Sequence, residues 1–389
     1  MTLRSRLERL NLGGGVVKMM VQPADGVMPL VKAINKAKHR VEIVIFRFDR
    51  NEIEKALVTA VGRGVFVHAL IAYTNRGGEK NLRKLEMRLL AQGVTVGRTA
   101  DDLVRYHGKM MIIDRRELYV LAFNFTYLDM DHSRAFGVVT GNKKLVAEAV
   151  KLFEADTKRQ PYSGGQPNFV VSPVNARKQL SAFLQGAKKQ LLIYDPEISD
   201  QPMIRILEDR AKEGVEIRII GRLTRKSERL QVHKLSTMRL HTRTIIRDGM
   251  QAFVGSQSLR ELELGARREI GIIFRDHKIV SQLMKTFTED WEAIQRPTAQ
   301  AADQEAAPEP ALKVAKKVAK AVAKELPPVA PVVEVVVKEL VGNNMEFDLD
   351  PQQVEEAVKD AVKEAVKEAV RDVVEVVVEQ NGNGNGAHR

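Results

Sequence analysis

Cysteine is absent from the 389 residues of this chain, and aromatic residues make up only 5% of it. Without cysteine the chain has no disulfide framework, no thiolate metal site and no cysteine nucleophile. This composition suits a reducing compartment. The scarcity of aromatic rings leaves no evident platform on which single-stranded nucleic acid would stack.

Long apolar runs are missing as well. No stretch of 18 consecutive apolar residues occurs, so the sequence predicts no membrane span. The first twelve residues are charged and contain no apolar core of the length found in signal peptides. We therefore expect a cytoplasmic protein, peripheral to a membrane at most.

Positive charge is present in excess and is unevenly distributed. The net charge is +12, but residues 297–389 contain 11 Lys and Arg against 17 Asp and Glu, a net of −6. Residues 1–296 therefore carry 51 basic and 33 acidic residues, a net of +18. A basic body favours an anionic partner, either nucleic acid or the headgroups of acidic phospholipid.

Apolar strands alternate with helical stretches through the first 296 residues. We predict strands at 41–46, 65–72, 109–113, 118–123, 190–194, 215–220, 242–246 and 251–254. We predict helices at 53–63, 82–92, 145–158, 182–189, 203–213 and 279–293. This alternation is typical of a layered α/β fold. A turn-rich joint at 162–167 separates two expected domains, residues 16–160 and 168–296.

A third region, residues 297–389, differs in composition. It opens on a linker rich in Ala, Gln, Glu and Pro. The lysine-rich segment 312–326 could form a basic amphipathic helix that contacts a membrane surface. A second helix is predicted to begin at Asp350 as its N-cap, and the Asn-Gly repeat 381–386 predicts disorder. We expect a helical, partly disordered tail that is a solvated tether, binds lipid or self-associates.

The most informative pattern is one spacing that occurs twice. His107-x-Lys109-x4-Asp114 recurs further along the chain as His241-x-Arg243-x4-Asp248. The offset in numbering between these two motifs also links Asn124 to Ser258, Arg134 to Arg268, Gly137 to Gly271, Phe153 to Phe287 and Asp156 to Asp290. So many matched positions without a gap indicate an internal duplication. We expect the copies to pack with pseudo-two-fold symmetry, so that their equivalent residues converge.

The residue types in each copy suit the handling of phosphate. Alternate residues of a strand point to one face, so His107 and Lys109 should share a pocket. An ammonium binds a phosphoryl oxygen, and an imidazole can attack phosphorus or deliver a proton. Arg243 offers a planar fork in place of a point charge. Pairing each histidine with a cation argues against a divalent metal site.

The two aspartates have a separate expected role. Asp114 and Asp248 each follow an apolar strand. A carboxylate in that place can hold a histidine tautomer through a hydrogen bond, either within one half or across the two. We therefore count both among the candidate catalytic residues.

These motifs resemble those of the phospholipase D superfamily, in which His-x-Lys-x4-Asp-x6-Gly-Ser-x-Asn occurs twice, and the resemblance covers residues 16–296. Asn124 lies ten residues after Asp114, as the family pattern requires. The resemblance implies two α/β halves and a metal-free phosphodiesterase or phosphatidyl transferase without a cofactor. One histidine would form a phosphohistidine, and the other would protonate the leaving alkoxide and then activate water or an acceptor alcohol.

Carried over by position, the resemblance assigns these two roles to His107 and His241. We favour His107 as the nucleophile because its half keeps the lysine. The resemblance implies that Lys109 and Arg243 hold the non-bridging oxygens. Four further residues are expected to bind or support the phosphate, namely Asn124, Ser256, Ser258 and Glu269.

Both halves also depart from the family pattern. In the first half Leu121 and Ala122 replace Gly-Ser, and Ala135 stands at the position of Glu269. The second half has Ser258 in place of Asn. Losing one such group lowers the rate of an enzyme by about 10²–10³-fold, and both histidines remain, so we expect catalysis to be retained.

Three functions stay open at this stage. The first is an enzyme acting on anionic phospholipid, with segment 312–326 assisting membrane contact. The second is a phosphodiesterase acting on nucleic acid, which the basic body supports equally well. The third is a scaffold with a degenerate site that binds phosphate without turning it over.

Overall fold

The structure is a computed structural model that describes residues 17–73, 79–225 and 227–295. The predictions for the first twelve residues and for the tail 297–389, with its segment 312–326, lie outside these residues. Within the described ranges, no helix has both the length and the apolar character needed to cross a membrane.

The described part of the first half begins with β1 and ends with α5. Its elements are β1 (Val17–Gln22), α1 (Met28–Lys36), β2 (Arg40–Ile45), α2 (Asn51–Gly62), β3 (Phe66–Ile71), α3 (Glu79–Ala91), β4 (Thr95–Arg98), β5 (Arg105–Tyr106), β6 (Met110–Ile113), β7 (Glu117–Leu121), α4 (Tyr127–Asp131), β8 (Ser133–Thr140) and α5 (Lys143–Lys158). Helix α5 begins where the Asn142 side chain accepts hydrogen bonds from the backbone N–H groups of Lys144 and Leu145.

The second half begins with β9 and ends with α9. Its elements are β9 (Phe169–Val171), α6 (Ala176–Gln185), β10 (Gln190–Ile198), α7 (Gln201–Lys212), β11 (Glu216–Leu223), β12 (Gln231–His233), β13 (Arg239–Leu240), β14 (Arg243–Arg247), β15 (Gln251–Gly255), α8 (Glu261–Gly265), β16 (Arg267–Arg268), β17 (Ile270–Phe274) and α9 (His277–Gln295). Helix α7 begins at Asp200, whose side chain caps the N–H of Met203.

Each half contains a mixed sheet, and the two sheets have the same strand order. The first runs β1-β8-β7-β6-β2-β3-β4, and the second runs β9-β17-β15-β14-β10-β11-β12. In both, the last three strands are parallel to one another and the remaining pairs are antiparallel. The predicted fold of two duplicated α/β halves is confirmed.

Two different sequence offsets relate the halves. From β5 onward, equivalent residues keep the offset that separates His107 from His241, whereas β2 and β10, which begin at Arg40 and Gln190, are separated by a larger one. The difference arises because α3 lies between β3 and β4, whereas only a short connection without a helix joins β11 to β12. A comparison of the sequence with itself at the offset of the two motifs therefore detects the duplication only from β5 onward.

A shared apolar core lies between the two sheets. It contains equivalent side chains from both, such as Ile112 with Ile246 and Val120 with Val254, together with residues of α5 and α9. A separate core covers the outer face of each sheet under that half's own helices. The motif strands β6 and β14 are therefore buried on both faces, which holds their positions firmly.

Strands β8 and β17, which lie two places from the motif strands β6 and β14 in their sheets, were not predicted. Each contains a glycine of the repeated set, Gly137 or Gly271. A Cβ atom at Gly137 would come within 2.6 Å of Met20 Cε, and one at Gly271 would come within 2.4 Å of Phe253 Cε2. These glycines repeat because neighbouring side chains pack directly over them.

Two buried ion pairs connect the halves at equivalent positions. Arg134 in β8 donates two hydrogen bonds of 2.7 Å to Asp290 in α9. Reciprocally, Arg268 in β16 lies 3.0 Å from Asp156 in α5. Tyr194 also donates to Asp290, at 2.6 Å. These four repeated charges therefore join one half to the other.

Removing one of these carboxylates should destabilise the fold. Asp290→Ala leaves the Arg134 guanidinium buried without its counter-charge, so we expect the free energy of unfolding to fall by about 3–5 kcal/mol. Urea denaturation measures this. Glu289→Ala is the matched control, because its carboxylate lies on the exposed face of α9, 3.9 Å from Lys285, and should contribute less than about 1 kcal/mol. Equal losses in the two variants would contradict the role assigned to Asp290.

Candidate active site

Each motif histidine follows a short strand that pairs with the opposite half. Strand β5 pairs in parallel with β16, and β13 pairs in parallel with β8. The backbone N–H of His107 donates to the carbonyl of Arg268 at 2.8 Å, and that of His241 donates to the carbonyl of Arg134 at 3.1 Å. Each half therefore positions the other's histidine, as pseudo-two-fold symmetry requires.

His107 is oriented by a carboxylate from the second half. Its Nδ1 lies 2.9 and 3.0 Å from the two carboxylate oxygens of Glu269, and the ring of Phe46 meets it edge-on with the centroids 4.5 Å apart. An ionised carboxylate only accepts hydrogen bonds, so Nδ1 carries the proton and Nε2 holds the lone pair. Burial lowers the pKa of His107 well below its ordinary value, and the positive charges of Lys109 and Arg243 lower it further.

Lys109 is fully buried beside this imidazole. Its Nζ donates to the carbonyl oxygen of His107 at 2.7 Å and lies 2.8 Å from Nε2 and 3.0 Å from Nδ1 of the same residue. Burial lowers the pKa of Lys109 to about 7, although the nearby carboxylate of Glu269 opposes the shift. A phosphate oxygen could replace Nε2 as the acceptor for this ammonium, which would free the Nε2 lone pair.

His241 is held differently. Its Nδ1 donates to the carbonyl oxygen of Ala122 at 2.9 Å, and its Nε2 lies 3.5 Å from Oδ2 of Asp129. The difference arises because Ala135, which has no acceptor, occupies the position equivalent to Glu269. Burial lowers the pKa of His241 well below its ordinary value, and Asp129 opposes that shift.

Arg243 repeats one contact of its equivalent lysine and adds another. Its Nη1 donates to the carbonyl of His241 at 2.7 Å, matching the bond from Lys109 to the carbonyl of His107. Its Nε donates to the hydroxyl of Ser258 at 3.1 Å. The guanidinium is therefore fixed beside the second histidine, where it offers phosphate a planar set of donors.

Two buried carboxylates that the sequence analysis did not single out complete the cluster. Asp129 in α4 accepts hydrogen bonds from the backbone N and side-chain Nδ2 of Asn124, at 2.8 and 2.7 Å. Glu263 in α8 accepts one from the backbone N of Ser258 at 2.7 Å. The two carboxylates are related by the same offset as the two motifs, so the spacing that revealed the motifs could have revealed this pair too.

Asp129 is strongly acidic despite its burial. Burial alone would raise its pKa, but His241, Arg239 and the hydrogen bonds from Asn124 lower the pKa of Asp129 to about 2. Arg239 Nη1 donates to its Oδ1 at 2.6 Å. Asp129 is therefore a permanent negative charge beside the second histidine.

The four predicted support residues have different surroundings. Glu269 contacts His107, and Ser258 contacts Arg243 as described above. The Ser256 hydroxyl accepts a hydrogen bond from the backbone N–H of Ile270 at 3.1 Å. The buried Oδ1 atom of Asn124 has no hydrogen-bond partner among the described residues, and its Nδ2 group donates to Asp129.

Asp114 contacts neither His107 nor His241, which corrects the role expected from the sequence. Its carboxylate accepts hydrogen bonds from the backbone N–H groups of three consecutive residues, with distances of 2.7–3.2 Å: Lys38, His39 and Arg40. Asp248 repeats this arrangement with another three, Lys188, Lys189 and Gln190. Both aspartates have a positive φ, 52° and 53°, and bind the start of a neighbouring strand.

The pKa of Asp114 lies below its ordinary value, because the three backbone bonds outweigh the effect of burial, which raises it. A depressed pKa contributes stability above the unfolded value of about 4, and this is lost as the pH falls through the folded value. Asp114→Asn should therefore lower the free energy of unfolding at neutral pH by about 1–3 kcal/mol and weaken its acid dependence. The arrangement around His107 and His241 should be unchanged in the folded variant, and with it any turnover that this site supports.

Urea titrations at neutral and acidic pH test this expectation. Asp101→Asn is the matched control, since Asp101 is exposed in the loop before β5. If Asp114→Asn lost turnover without losing stability, Asp114 would have a catalytic role after all.

No group of three or more His, Asp and Glu side chains is placed to hold a metal ion within the part of the chain that the structure describes. The cluster built around the two histidines instead combines imidazoles, cations and carboxylates. Such a set can bind a phosphate, attack it and move a proton.

Comparisons with known proteins agree with this geometry. A family profile described as Cardiolipin synthase, PLD-like domain matches residues 30–157 and 180–291, more than half of the chain. No curated protein matches the sequence. Among solved structures, the chain is similar to phosphatidylserine synthase from Haemophilus influenzae Rd KW20, with 10% identity, a TM-score of 0.57 and coverage of 76% of this chain and 91% of that one.

Two other solved structures are also similar. Polyphosphate kinase from Porphyromonas gingivalis has 18% identity, a TM-score of 0.60 and 71% coverage of this chain, which spans half the length of that kinase. Nuc, a phospholipase D family member from Salmonella typhimurium, has 25% identity and a TM-score of 0.35, covering 38% of this chain and 96% of its own. With the profile matched in both halves around the described site, the chain belongs to the phospholipase D superfamily, in the family of cardiolipin-synthase-like domains.

Proposed function

We propose that this chain is a phosphodiesterase or phosphatidyl transferase in which His107 is the nucleophile and His241 the general acid and base. The observation that carries this assignment is the difference between the two imidazoles. The first has a carboxylate on Nδ1, so positive charge that develops during attack by Nε2 is stabilised. The second has a carboxylate near Nε2, which favours a proton on that nitrogen.

In the first step, Nε2 of His107 attacks phosphorus and the bond from phosphorus to the leaving alkoxide breaks. His241 transfers its Nε2 proton to that alkoxide, which departs as an alcohol. Lys109 and Arg243 bind the non-bridging oxygens, whose negative charge also raises the pKa of the nearby His241 and so promotes its protonation. The product is a phosphohistidine on His107, with His241 neutral.

In the second step, neutral His241 takes a proton from water or from an acceptor alcohol. The oxygen so activated attacks phosphorus, and the bond between phosphorus and Nε2 breaks. His107 returns to its starting state with its Nδ1 proton still on the Glu269 hydrogen bond. Atoms and charges balance over the cycle, and the acceptor decides between hydrolysis and transfer.

We propose phospholipid as the substrate class. Family membership in cardiolipin-synthase-like domains supports this choice, as does the +18 charge of residues 1–296, which suits anionic headgroups. Nucleic acid is the alternative phosphodiester and is included in the test. The third possibility, a scaffold that binds phosphate without turnover, predicts no covalent intermediate at all.

Trapping the phosphohistidine tests the assignment. With phosphatidyl-p-nitrophenol labelled at phosphorus, His241→Ala should accumulate acid-labile label, because this leaving group needs no proton while the second step lacks its base. We expect about 10²-fold slower turnover of the label than in the unmutated protein. Reactions contain EDTA, so that any label forms without a divalent cation.

Three outcomes would contradict the proposal. Label on His241 in a His107→Ala protein would reverse the two roles. Label from an oligonucleotide but not from the phospholipid would replace the substrate class. Phosphate binding with no label from either substrate would favour the scaffold.

A further inference from the structure

Apolar side chains are exposed at equivalent positions on both sides of the site. Leu128 in α4 is 49% exposed, and Leu262, its equivalent in α8, is 48% exposed. Each leucine immediately precedes a buried carboxylate of the cluster, Asp129 or Glu263. Asp129 lies 3.5 Å from His241, and Glu263 lies 3.9 Å from Arg243. Both leucines are therefore one residue away from a carboxylate of the site.

Other exposed apolar residues adjoin these leucines. Val104 is 60% exposed, and its backbone N–H donates to the carbonyl of Ala266, whose own N–H donates to the carbonyl of Leu262. Tyr127, 57% exposed, neighbours Leu128 in the chain. We call Val104, Tyr127, Leu128 and Leu262 the apolar rim. The first half contributes three of these residues and the second half contributes Leu262. The apolar rim therefore lies around the site that the two halves share.

Cations accompany the apolar rim. The guanidinium groups of Arg47 and Arg105 lie 5.8 and 5.4 Å from the ring centre of Phe46, which itself packs on His107. Arg239, which binds Asp129, has a side chain that is 40% exposed. Positive charge and apolar surface therefore occur together around the two histidines.

The pseudo-two-fold relation determines how a partner could meet the rim. An axis that passes between the two histidines and relates Leu128 to Leu262 places these leucines at equal height on opposite sides of the site. A flat partner can then contact both at once. A bilayer surface is flat, carries anionic headgroups and accepts aliphatic side chains at its acyl boundary.

We propose that the apolar rim docks this protein on the surface of an anionic phospholipid bilayer and delivers a headgroup phosphate to the site. This inference rests on the proposed function and specifies where its substrate is met. Nucleic acid fits less well, since it would bind through cations and stacked rings, and the rim offers three aliphatic side chains against one ring.

The test uses the full chain in a His107→Ala background, so that binding is measured without turnover. The probe is vesicles of phosphatidylcholine mixed with phosphatidylglycerol, and binding is followed by co-sedimentation. The double variant Leu128→Gln, Leu262→Gln should bind these vesicles at least about tenfold more weakly, because two half-exposed leucines lose their transfer into the acyl boundary. Met250→Gln is the matched control, 58% exposed in the turn between β14 and β15, at the end of β14 remote from His241. It should change binding less than about twofold.

A spectroscopic arm covers the case in which the glutamine variants fold poorly. Leu262→Trp adds an indole at the rim, while Trp291, the single native tryptophan, is buried at 4% exposure and gives a constant background. The added emission should shift to the blue on vesicle binding and be quenched by brominated acyl chains. An unshifted, unquenched emission from vesicle-bound protein would overturn the proposal.

Activity on a soluble phosphodiester, bis(p-nitrophenyl) phosphate, separates this inference from the proposed function. With His107 present, the rim variants should keep soluble turnover within about twofold and lose turnover on vesicles. If the double variant turned over the soluble substrate and still bound vesicles as well as the unmutated rim does, the docking proposal would be wrong. The proposed function would be unaffected. Loss of vesicle binding in a chain without any turnover would support the rim and remove the proposed function. Weakened oligonucleotide binding with unchanged vesicle binding would assign the rim to nucleic acid and overturn the proposal.

Discussion

Replacing His107 with alanine should lower kcat on phosphatidyl-p-nitrophenol by at least about 10⁴-fold, because His107 is the side chain proposed to form the covalent intermediate. The acid-labile label should vanish with it. Phosphate binding should persist, since Lys109 and Arg243 each contribute a charge-assisted hydrogen bond of about 1.5–3 kcal/mol. Chemistry and binding are thus expected to separate in this variant.

Rapid-quench labelling and calorimetric titration with inorganic phosphate measure the two properties. His68→Ala serves as the matched control. His68 is a half-buried histidine of β3 that packs against Phe66 and Phe153, and its replacement should leave kcat intact. If His107→Ala still formed label at the original rate, the nucleophile would lie elsewhere.

Glu269→Gln should lower kcat by about 10³-fold while leaving KM nearly unchanged. The carboxylate holds Nδ1 of His107 and stabilises the positive charge that the ring gains on forming the phosphohistidine, and a neutral amide does this poorly. Ground-state binding should persist, because the variant retains Lys109 and Arg243, the two cations proposed to bind the phosphate. Glu269→Asp, which keeps the charge on a shorter side chain, should recover part of the lost kcat.

Steady-state kinetics at several pH values test this role. Removing the nearby negative charge lowers the pKa of His107 further, so the histidine stays neutral and its protonation cannot account for a slower rate at neutral pH. A thermal transition equal to that of the unmutated protein shows that the variant is folded. An increase in KM at unchanged kcat would mean that Glu269 acts on binding and does not position the nucleophile.

The two halves share one strand order but differ in the residues beside their histidines. These differences match the different roles proposed for His107 and His241. The first half retains a lysine beside His107, and this histidine draws its carboxylate from the second half. Because the first half has Ala135 where the second has Glu269, His241 must use a backbone carbonyl for Nδ1. Degeneracy in one half thus changes how the histidine of the other half is held.

Much of this protein could be predicted from spacing alone. The duplication, the α/β halves and the pairing of each histidine with a cation follow from patterns that are local in the chain, such as the two-residue step that places His107 and Lys109 together. Strand bounds were close where an apolar run is uninterrupted, as at β6, and β8 was missed because polar residues and Gly137 break its apolar pattern.

Other features were decided only by tertiary structure, because they join residues that are distant in sequence. Glu269 meets His107 across 162 positions and Asp290 meets Arg134 across 156, and no local pattern specifies which strand of one half crosses which of the other. Asp114 shows the same limit. Its place in the motif suggested a histidine as its partner, yet the turn that gives it a positive φ directs its carboxylate to the backbone of residues 38–40. The sequence therefore determined which chemical groups are present and how often they repeat, whereas the packing of the two halves determined which carboxylate acts on which histidine.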